Sequence, residues 1–386
     1  MTVRSGACCV LLTTALSLSG QAQKETNNFT IRGGFVNMEA PPKVYLAYDT
    51  AHYHPTDSAV VTDGKYVFHG TTNGVSHLFI SKKWWDRHAG GGELGVKNSE
   101  RAELFLEKGT VDVVSSDGDM ENSVVTGSQP DNDYRVAHHH IKLLGDSLRA
   151  LYKMAVATNN QALGTKVFEQ ALTKIEPIMK ADYTAFIRQH PAATINIFLL
   201  GQLATGGRPM AGLLDSVAGL YGSVAAGLRT SPDGRAFRSY LDNELKTAIG
   251  HLAPEFTQND AQGHPVSLSS FKGKYVFLDF WASWDANASR ALPVLAKVYE
   301  TYGSKGLVVL GVSLDKDKNS WQQVIQDAGA GMTTQLSDLR GRDNAAARLY
   351  GVTKLPCNLL IDPGGIIVAK NLTSMDIDKT LSSILE

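Results

Sequence analysis

Cysteine is nearly missing from this chain. Among 386 residues there are three, Cys8, Cys9 and Cys357. An excess of charge of either sign is missing too. Lys plus Arg is 37 and Asp plus Glu is 38, a formal net charge of −1, so no basic excess points to nucleic acid or to anionic lipid. Long apolar runs are also lacking. The stretch 7–18 is uncharged and apolar but too short to span a bilayer as a helix, and no other segment is long and apolar enough to cross one, so no transmembrane segment is expected. What is present fits a folded globular protein: 43% hydrophobic and 19% charged residues. The length accommodates two or three domains.

The N-terminus reads as an export signal. Arg4 supplies a positive start, 7–18 the apolar core, and Gly20-Gln21-Ala22 the small residues that a signal peptidase reads. Residues 1–22 are the predicted signal peptide, cleaved after Ala22. A lipoprotein anchor at Cys8 is rejected, because the apolar run follows that cysteine instead of preceding it. Cleavage removes Cys8 and Cys9. The mature protein then keeps Cys357 alone and can form no internal disulfide, so its stability must come from ordinary hydrophobic cores.

Three regions follow. Residues 28–126 read as an antiparallel β-sandwich. Val44-Tyr45-Leu46-Ala47-Tyr48 is a strand. Ser58 to Val61 and Lys65 to Phe68 flank Asp63-Gly64, which predicts a hairpin because both turn positions favour positive φ. Leu104 to Leu106 and Thr110 to Val114 form a second expected pair around Lys108-Gly109. Residues 133–249 read as helical, with apolar stripes at Leu143, Leu144, Leu148, Leu151 and Met154 and at Phe168, Leu172, Ile175 and Met179. Pro191 and Pro209 interrupt them, and Ser231-Pro232-Asp233-Gly234 reads as a turn. Residues 251–386 alternate strand and helix. Tyr275 to Phe280 and Leu307 to Leu314 are near-continuous apolar runs, as strands buried on both faces should be. Helices are expected over 286–302, 321–328, 344–350 and 377–385. A hairpin is expected between Asn358–Asp362 and Ile366–Lys370.

Several separate blocks in this last region resemble the thioredoxin superfamily, in its TlpA/ResA-like and AhpC/TSA-like branch of exported thiol-disulfide proteins. They are Ala253-Pro254-Glu255-Phe256 with Val266-Ser267-Leu268, Phe280-Trp281-Ala282-Ser283-Trp284, Gly311-Val312-Ser313-Leu314-Asp315, Leu355-Pro356 and Leu360-Ile361-Asp362. The resemblance implies a central mixed sheet flanked by helices and a cis-proline at Pro356. The strands around Asp57 to Gly70 resemble the small β domain that precedes such domains in periplasmic proteins. The family's exchange chemistry needs Cys-x-x-Cys after the second tryptophan, the first thiolate attacking a disulfide and the second resolving it. Here Trp284 is followed by Asp285-Ala286-Asn287-Ala288. Both sulfurs are gone, and a carboxylate and a methyl group cannot exchange disulfides.

Asp285 is open to two readings, a helix N-cap or a general acid or base, and the cap carries more weight because Asp ranks among the best capping residues. Cys357, following the predicted cis-proline, should lie near 285–288. It is either a small buried space-filler or a lone reactive thiol, which the nearby Asp285 would if anything make less acidic. His138-His139-His140 suggests metal binding, but adjacent helical histidines point apart. His52 and His54 lack a third ligand. Trp84-Trp85 beside Gly90-Gly91-Gly92 is a candidate contact loop or packed core. No metal or other cofactor is expected.

Two hypotheses stand. In one the protein is a periplasmic binding or scaffold module of the oxidoreductase lineage, inert in dithiol exchange, with a protein or peptide partner held in a groove lined by Trp284, Leu355 and Pro356. In the other it is a single-thiol reductase or peroxidase whose catalytic residue is Cys357. Reactivity of that thiol separates them.

Overall fold

The computed structural model describes residues 28–48, 56–83, 100–116, 118–205, 212–329 and 333–385. The predicted signal peptide, His52, His54, Trp84, Trp85, the 90–92 glycines and Pro209 lie outside these. The described residues fall into two units, one within Met1–Gly207 and Gly219–Phe237, the other within Arg208–Ala218 and Arg238–Glu386.

In the first unit, β1 (Phe29–Val36), β4 (Lys65–Gly70), β7 (Gly109–Ser116) and β8 (Asp119–Thr126) form one sheet in the order β4-β1-β7-β8. The strands β2 (Lys43–Tyr48), β3 (Asp57–Val60), β5 (Ser76–Ser81) and β6 (Arg101–Leu106) form another, ordered β3-β2-β5-β6. Alternating residues of both, among them Phe29, Ile31, Leu46, Phe68, Leu78 and Leu104, share one core. Each such buried side chain contributes about 1.5–3 kcal/mol. The sandwich is therefore as expected, but its wiring is not.

Asp63 (φ 49°) and Gly64 (φ 70°) do make the turn, closed by a Thr62–Lys65 bridge. Beyond that bridge the arms part: β3 pairs with β2 and β4 with β1. The expected pair around Lys108-Gly109 parts in the same way, β6 joining β5 and β7 joining β1 and β8. In both cases the short link crosses between sheets, because each arm buries its inward residues against a different sheet. One pairing departs from the antiparallel rule: β1 and β7 run parallel, Phe29 opposite Gly109.

The helices α1 (Gln129–Ala137), α2 (His139–Ala157), α3 (Gln161–Gln189) and α4 (Asn196–Thr205) follow, then α5 (Leu213–Ser223), α6 (Ala226–Arg229) and α7 (Pro232–Leu245). Ser128 caps α1 by accepting from the Asp131 N–H, and Asn160 caps α3 by accepting from the Leu163 N–H. The buried line of α2 is Ile141, Leu148 and Ala155, at seven-residue spacing. Of the expected stripe, Leu148 is on that line, whereas Leu143, Leu151 and Met154 are exposed. Leu-rich periodicity alone picked the flank of the buried face. In the second stripe Met179 is buried. As expected, α3 stops just before Pro191. Ser231-Pro232-Asp233-Gly234 is not a free turn. It starts α7, with Pro232 as first residue and the Ser231 hydroxyl accepting from the Gly234 N–H at 3.0 Å.

The second unit is built on a five-stranded mixed sheet, β13-β12-β11-β14-β15, with a small hairpin of β9 (Thr257–Asn259) and β10 (Pro265–Ser267) before it. Its central strand β11 (Tyr275–Trp281) pairs parallel with β12 (Leu307–Ser313) and antiparallel with β14 (Cys357–Ile361). The edges are β13 (Thr334–Leu336), which the sequence reading missed, and β15 (Ile367–Lys370). Helices α8 (Ala286–Tyr302) and α11 (Ser374–Leu385) cover one face through Leu295, Val298, Ile377 and Leu381. The other face packs on α10 (Ala345–Leu349) through Ala346 and Ala347. The remaining helix, α9 (Lys318–Asp327), places Trp321 against Trp281.

Candidate functional site

The site begins where β11 ends. Strand pairing drives the apolar run to Trp281, which is fully buried and donates its indole N–H to Gln335 Oε1 at 2.9 Å. Gln335 in turn donates to the Thr333 hydroxyl at 2.8 Å. The chain then turns through Ser283, whose hydroxyl and backbone N–H both donate to the buried Asp315 carboxylate, at 2.6 and 3.1 Å. The Ser313 hydroxyl donates to the same carboxylate at 2.7 Å. Trp284 follows, 50% exposed, its indole N–H donating to the Leu314 carbonyl at 3.2 Å. The Arg342 guanidinium stands 4.9 Å from the centre of its ring, a favourable stack of a cation on an aromatic face.

Asp285 comes next, directly before the first residue of α8, the capping position expected of it. A carboxylate there faces the positive end of the helix dipole. Ala286, Asn287 and Ala288 form the first turn of α8, where the exchange motif would stand, and Ala286 is exposed. The Leu355–Pro356 bond is cis, and Leu355 packs against the cluster of Trp281, Trp321 and Leu292 of α8. Leu355 is half-buried and Pro356 exposed. Asn344 ties the start of α10 to β9. Its Oδ1 caps α10 by accepting from the Ala347 N–H at 3.0 Å, while Gln258 donates to the same oxygen at 2.8 Å.

Cys357 opens β14 opposite Phe280. Side chains alternate across a sheet, so its sulfur shares a face with Phe280 and packs in the core under α10. The motif helix α8 covers the other face. Burial pushes the thiol up to about 11, with Lys370 opposing the rise and Asp279 and Glu244 adding to it. The carboxylates acting on this sulfur are thus Asp279 and Glu244, not the Asp285 expected from the sequence. Lys370 is itself held by Glu244 at 3.0 Å and the Thr247 hydroxyl at 3.1 Å.

One chemically loaded residue escaped the sequence reading. Asp279 lies in the middle of β11, 1% exposed, with Oδ2 lacking any hydrogen-bond partner. Burial holds its carboxyl well above the usual carboxylate range. It pairs with Asn358 in register and so projects toward the α8 face. The signal was a single acidic residue inside an otherwise apolar strand. Arg342, the cation over Trp284, was missed as well, and only the fold brings the two together.

The three adjacent histidines do not converge. His138 sits at the α1–α2 junction, its Nδ1 2.7 Å from the Tyr183 hydroxyl, while His140 Nδ1 faces the Asp182 carboxylate at 3.1 Å. Among the described residues no group of three His, Cys, Asp or Glu side chains is placed to hold a metal. No helix among them is long and apolar enough to cross a membrane.

A mixed sheet flanked by helices, with a cis-proline at Pro356, is the frame the sequence blocks implied. Residues 249–370 match the AhpC/TSA family. The C-terminal domain thus carries an AhpC/TSA-type match. Residues 29–134 match a domain of unknown function, DUF4369. The AhpC/TSA-type domain is similar to the thiol-disulfide oxidoreductase ResA of Geobacillus kaustophilus, 29% identical over 151 residues, which is 38% of this chain and 84% of that protein. ResA of Bacillus subtilis is 30% identical over 119 residues, 31% of this chain and 64% of that protein. Among solved structures, the thioredoxin domain of a thiol-disulfide oxidoreductase from Bacteroides vulgatus is 32% identical. It covers 36% of this chain and 99% of its own, with a TM-score of 0.34. A thiol-disulfide oxidoreductase from Bacteroides fragilis is 30% identical over 35% of this chain and 100% of its own, with a TM-score of 0.33.

Proposed function

We propose that this protein is an exported, periplasmic binding module of the thiol-disulfide oxidoreductase lineage, inert in dithiol exchange, which holds extended polypeptide beside the cis-proline. The observation that carries the reading is the first turn of α8. It begins Asp285-Ala286-Asn287-Ala288 where exchange requires two thiols. Cys357 is no substitute. Its thiol is raised to about 11 and packs on the face of the sheet away from α8, whereas a nucleophilic cysteine needs a lowered pKa. What survives is surface. Half-exposed Trp284 and exposed Pro356 supply apolar contacts, and extended chains can add main-chain hydrogen bonds beside them. Export rests on Arg4, the apolar run 7–18 and the small residues before position 23.

The test is insulin reduction by dithiothreitol with the mature chain, run beside binding of reduced, carboxymethylated insulin B chain followed by tryptophan fluorescence. The expected result is reduction at the reagent-only rate, with saturable peptide binding that Trp284→Ala weakens. The double variant Asp285→Cys/Ala288→Cys should gain reduction above the reagent rate. Catalytic reduction by the unaltered chain would overturn the inert reading, and absence of peptide binding would overturn the module.

A further inference from the structure

A second concavity lies at the other end of the same sheet. The motif follows Trp281, at the C-terminal end of β11, whereas this cavity opens near Val276, five residues back along the strand, roughly 17 Å away at the rise of a strand. It has a volume of about 320 Å³, at the lower end of the range of small-molecule pockets. Ala253, Leu268, Val276 and Ile361 form its floor, all buried, with Phe271 beside them. Leu252, 66% exposed, stands at its mouth.

The walls are fixed before any ligand arrives. Three segments are clasped by backbone hydrogen bonds: Ala253 N–H to the Gly365 carbonyl at 2.9 Å, Gly273 N–H to the Pro363 carbonyl at 3.0 Å, and Lys274 N–H to the Phe271 carbonyl at 3.1 Å. The rim carries two carboxylates and two ammonium groups, and they are not equivalent. Asp362 Oδ1 accepts from the Gly364 and Ile366 N–H groups of its own turn, and Glu255 accepts from the Ser269 N–H. These acids are engaged in holding the frame. Lys272 and Lys274 line the same opening, both exposed, and neither forms an ion pair among the described residues.

An apolar floor under two unpaired cations matches a ligand with an apolar tail and an anionic head. We propose that this cavity binds a medium-chain fatty acid, the acyl chain lying on Leu268, Val276 and Ile361 and the carboxylate meeting Lys272 and Lys274. The site is separate from the α8 motif and does not depend on what that motif does.

The test is isothermal titration of the full mature chain with sodium decanoate below its micellar concentration, with decanol and acetate as probes of tail and head alone. One saturable site per chain is expected for decanoate, none for acetate, and decanol should bind about tenfold more weakly, as the loss of two exposed charge contacts implies. Lys272→Ala/Lys274→Ala should bring decanoate to the level of decanol. Leu252→Glu places a like charge at the mouth and should weaken decanoate by about tenfold or more. All these substitutions are at exposed positions, so the fold is not at stake. Decanoate binding unchanged by both variants would overturn the proposal, as would decanol binding as tightly as decanoate, or no saturable binding of decanoate.

Discussion

The lone thiol offers the sharpest quantitative test. With a pKa of about 11, Cys357 is about 0.1% thiolate at pH 8, whereas an ordinary cysteine near 8.5 is about one quarter thiolate. Ionisation alone thus slows reaction with a disulfide reagent by roughly two hundredfold. The rare thiolate is, however, the more nucleophilic one. A Brønsted slope near 0.4–0.5 over about 2.5 pKa units returns about tenfold. The net expectation is native labelling about twentyfold slower than in the unfolded chain at pH 8, before any shielding of the half-buried sulfur. The assay is absorbance-followed reaction with an aromatic disulfide across pH 7–10.5, in buffer and in guanidinium, with Cys357→Ser as control. The same shift has a consequence for stability. The native thiol keeps its proton above the pH at which the unfolded chain loses it, so stability falls as pH rises from about 9 toward 11 and levels beyond. The loss is at most about 3 kcal/mol for a shift from 9.0 to about 11. Cys357→Ser should lack that component of the alkaline loss. Native labelling as fast as in guanidinium, with an apparent pKa below 8.5, would refute the reasoning and return Cys357 to candidacy as a catalytic group.

Other expectations follow from the frame of the site. The Asp279 carboxyl stays protonated in the fold at pH values where the unfolded chain has ionised it, so its contribution to stability is greatest below about pH 4 and declines as pH rises. Asp279→Asn should therefore gain stability relative to the parent on going from pH 4 to 7, by about 1–3 kcal/mol in thermal or denaturant melts, and a constant difference would contradict the buried acid. A Cβ at Gly311 would lie 2.1 Å from Gln335 Oε1. Gly311→Ala should thus displace Gln335 from Trp281 and cost about 2–4 kcal/mol. In a Gln335→Ala background the same change should cost clearly less, which a double-mutant cycle in denaturant would measure. Asp315→Ala should strand the Ser283 and Ser313 donors at a cost of about 2–4 kcal/mol. It should also speed amide exchange at Ser283 more than at Leu310, and equal protection at both would deny Asp315 its hold on the loop.

How much of this was legible in the sequence depended on whether the determinant was local. Both ends of α8 could be placed, and β11 and β14 to within one residue, because apolar runs, a helix start after Asp285 and the Leu355-Pro356 pair are written in consecutive residues. Asp63-Gly64 was equally local, and its turn formed with both φ positive. What could not be read was the partner of each arm, because β3 and β4 are chosen by residues distant in the chain, as Leu46 opposite Asp57 and Phe29 opposite Gly70 show. The α2 stripe failed for a related reason. Leu143, Leu151 and Met154 are as apolar as Leu148, and only packing decides that Ile141 and Ala155 complete the buried line. The electrostatics of Cys357 were misassigned because Lys370 and Glu244 reach it from β15 and α7, far off in sequence.

The same distinction explains how this domain can lack its exchange motif and keep its shape. Asp285 is half-buried and Ala286 exposed, and neither belongs to a hydrophobic core of the second unit. The loop before α8 is set by Asp315 on Ser283 and by Gln335 on Trp281, and Asn344 joins Gln258 to α10. These ties converge from β9, β12, β13 and α10, so the frame is determined several times over without a sulfur atom. Asp285, directly before α8, places a favourable negative charge at the helix start without a thiolate. Asp279 runs the other way. Packing alone would favour an apolar residue at its place in β11, because a carboxyl with an unsatisfied oxygen in that core opposes folding. Stability does not account for this position, and Asp279→Asn and Asp279→Leu, which keep and remove its polarity, separate the cost of the charge from the cost of the unmade hydrogen bond.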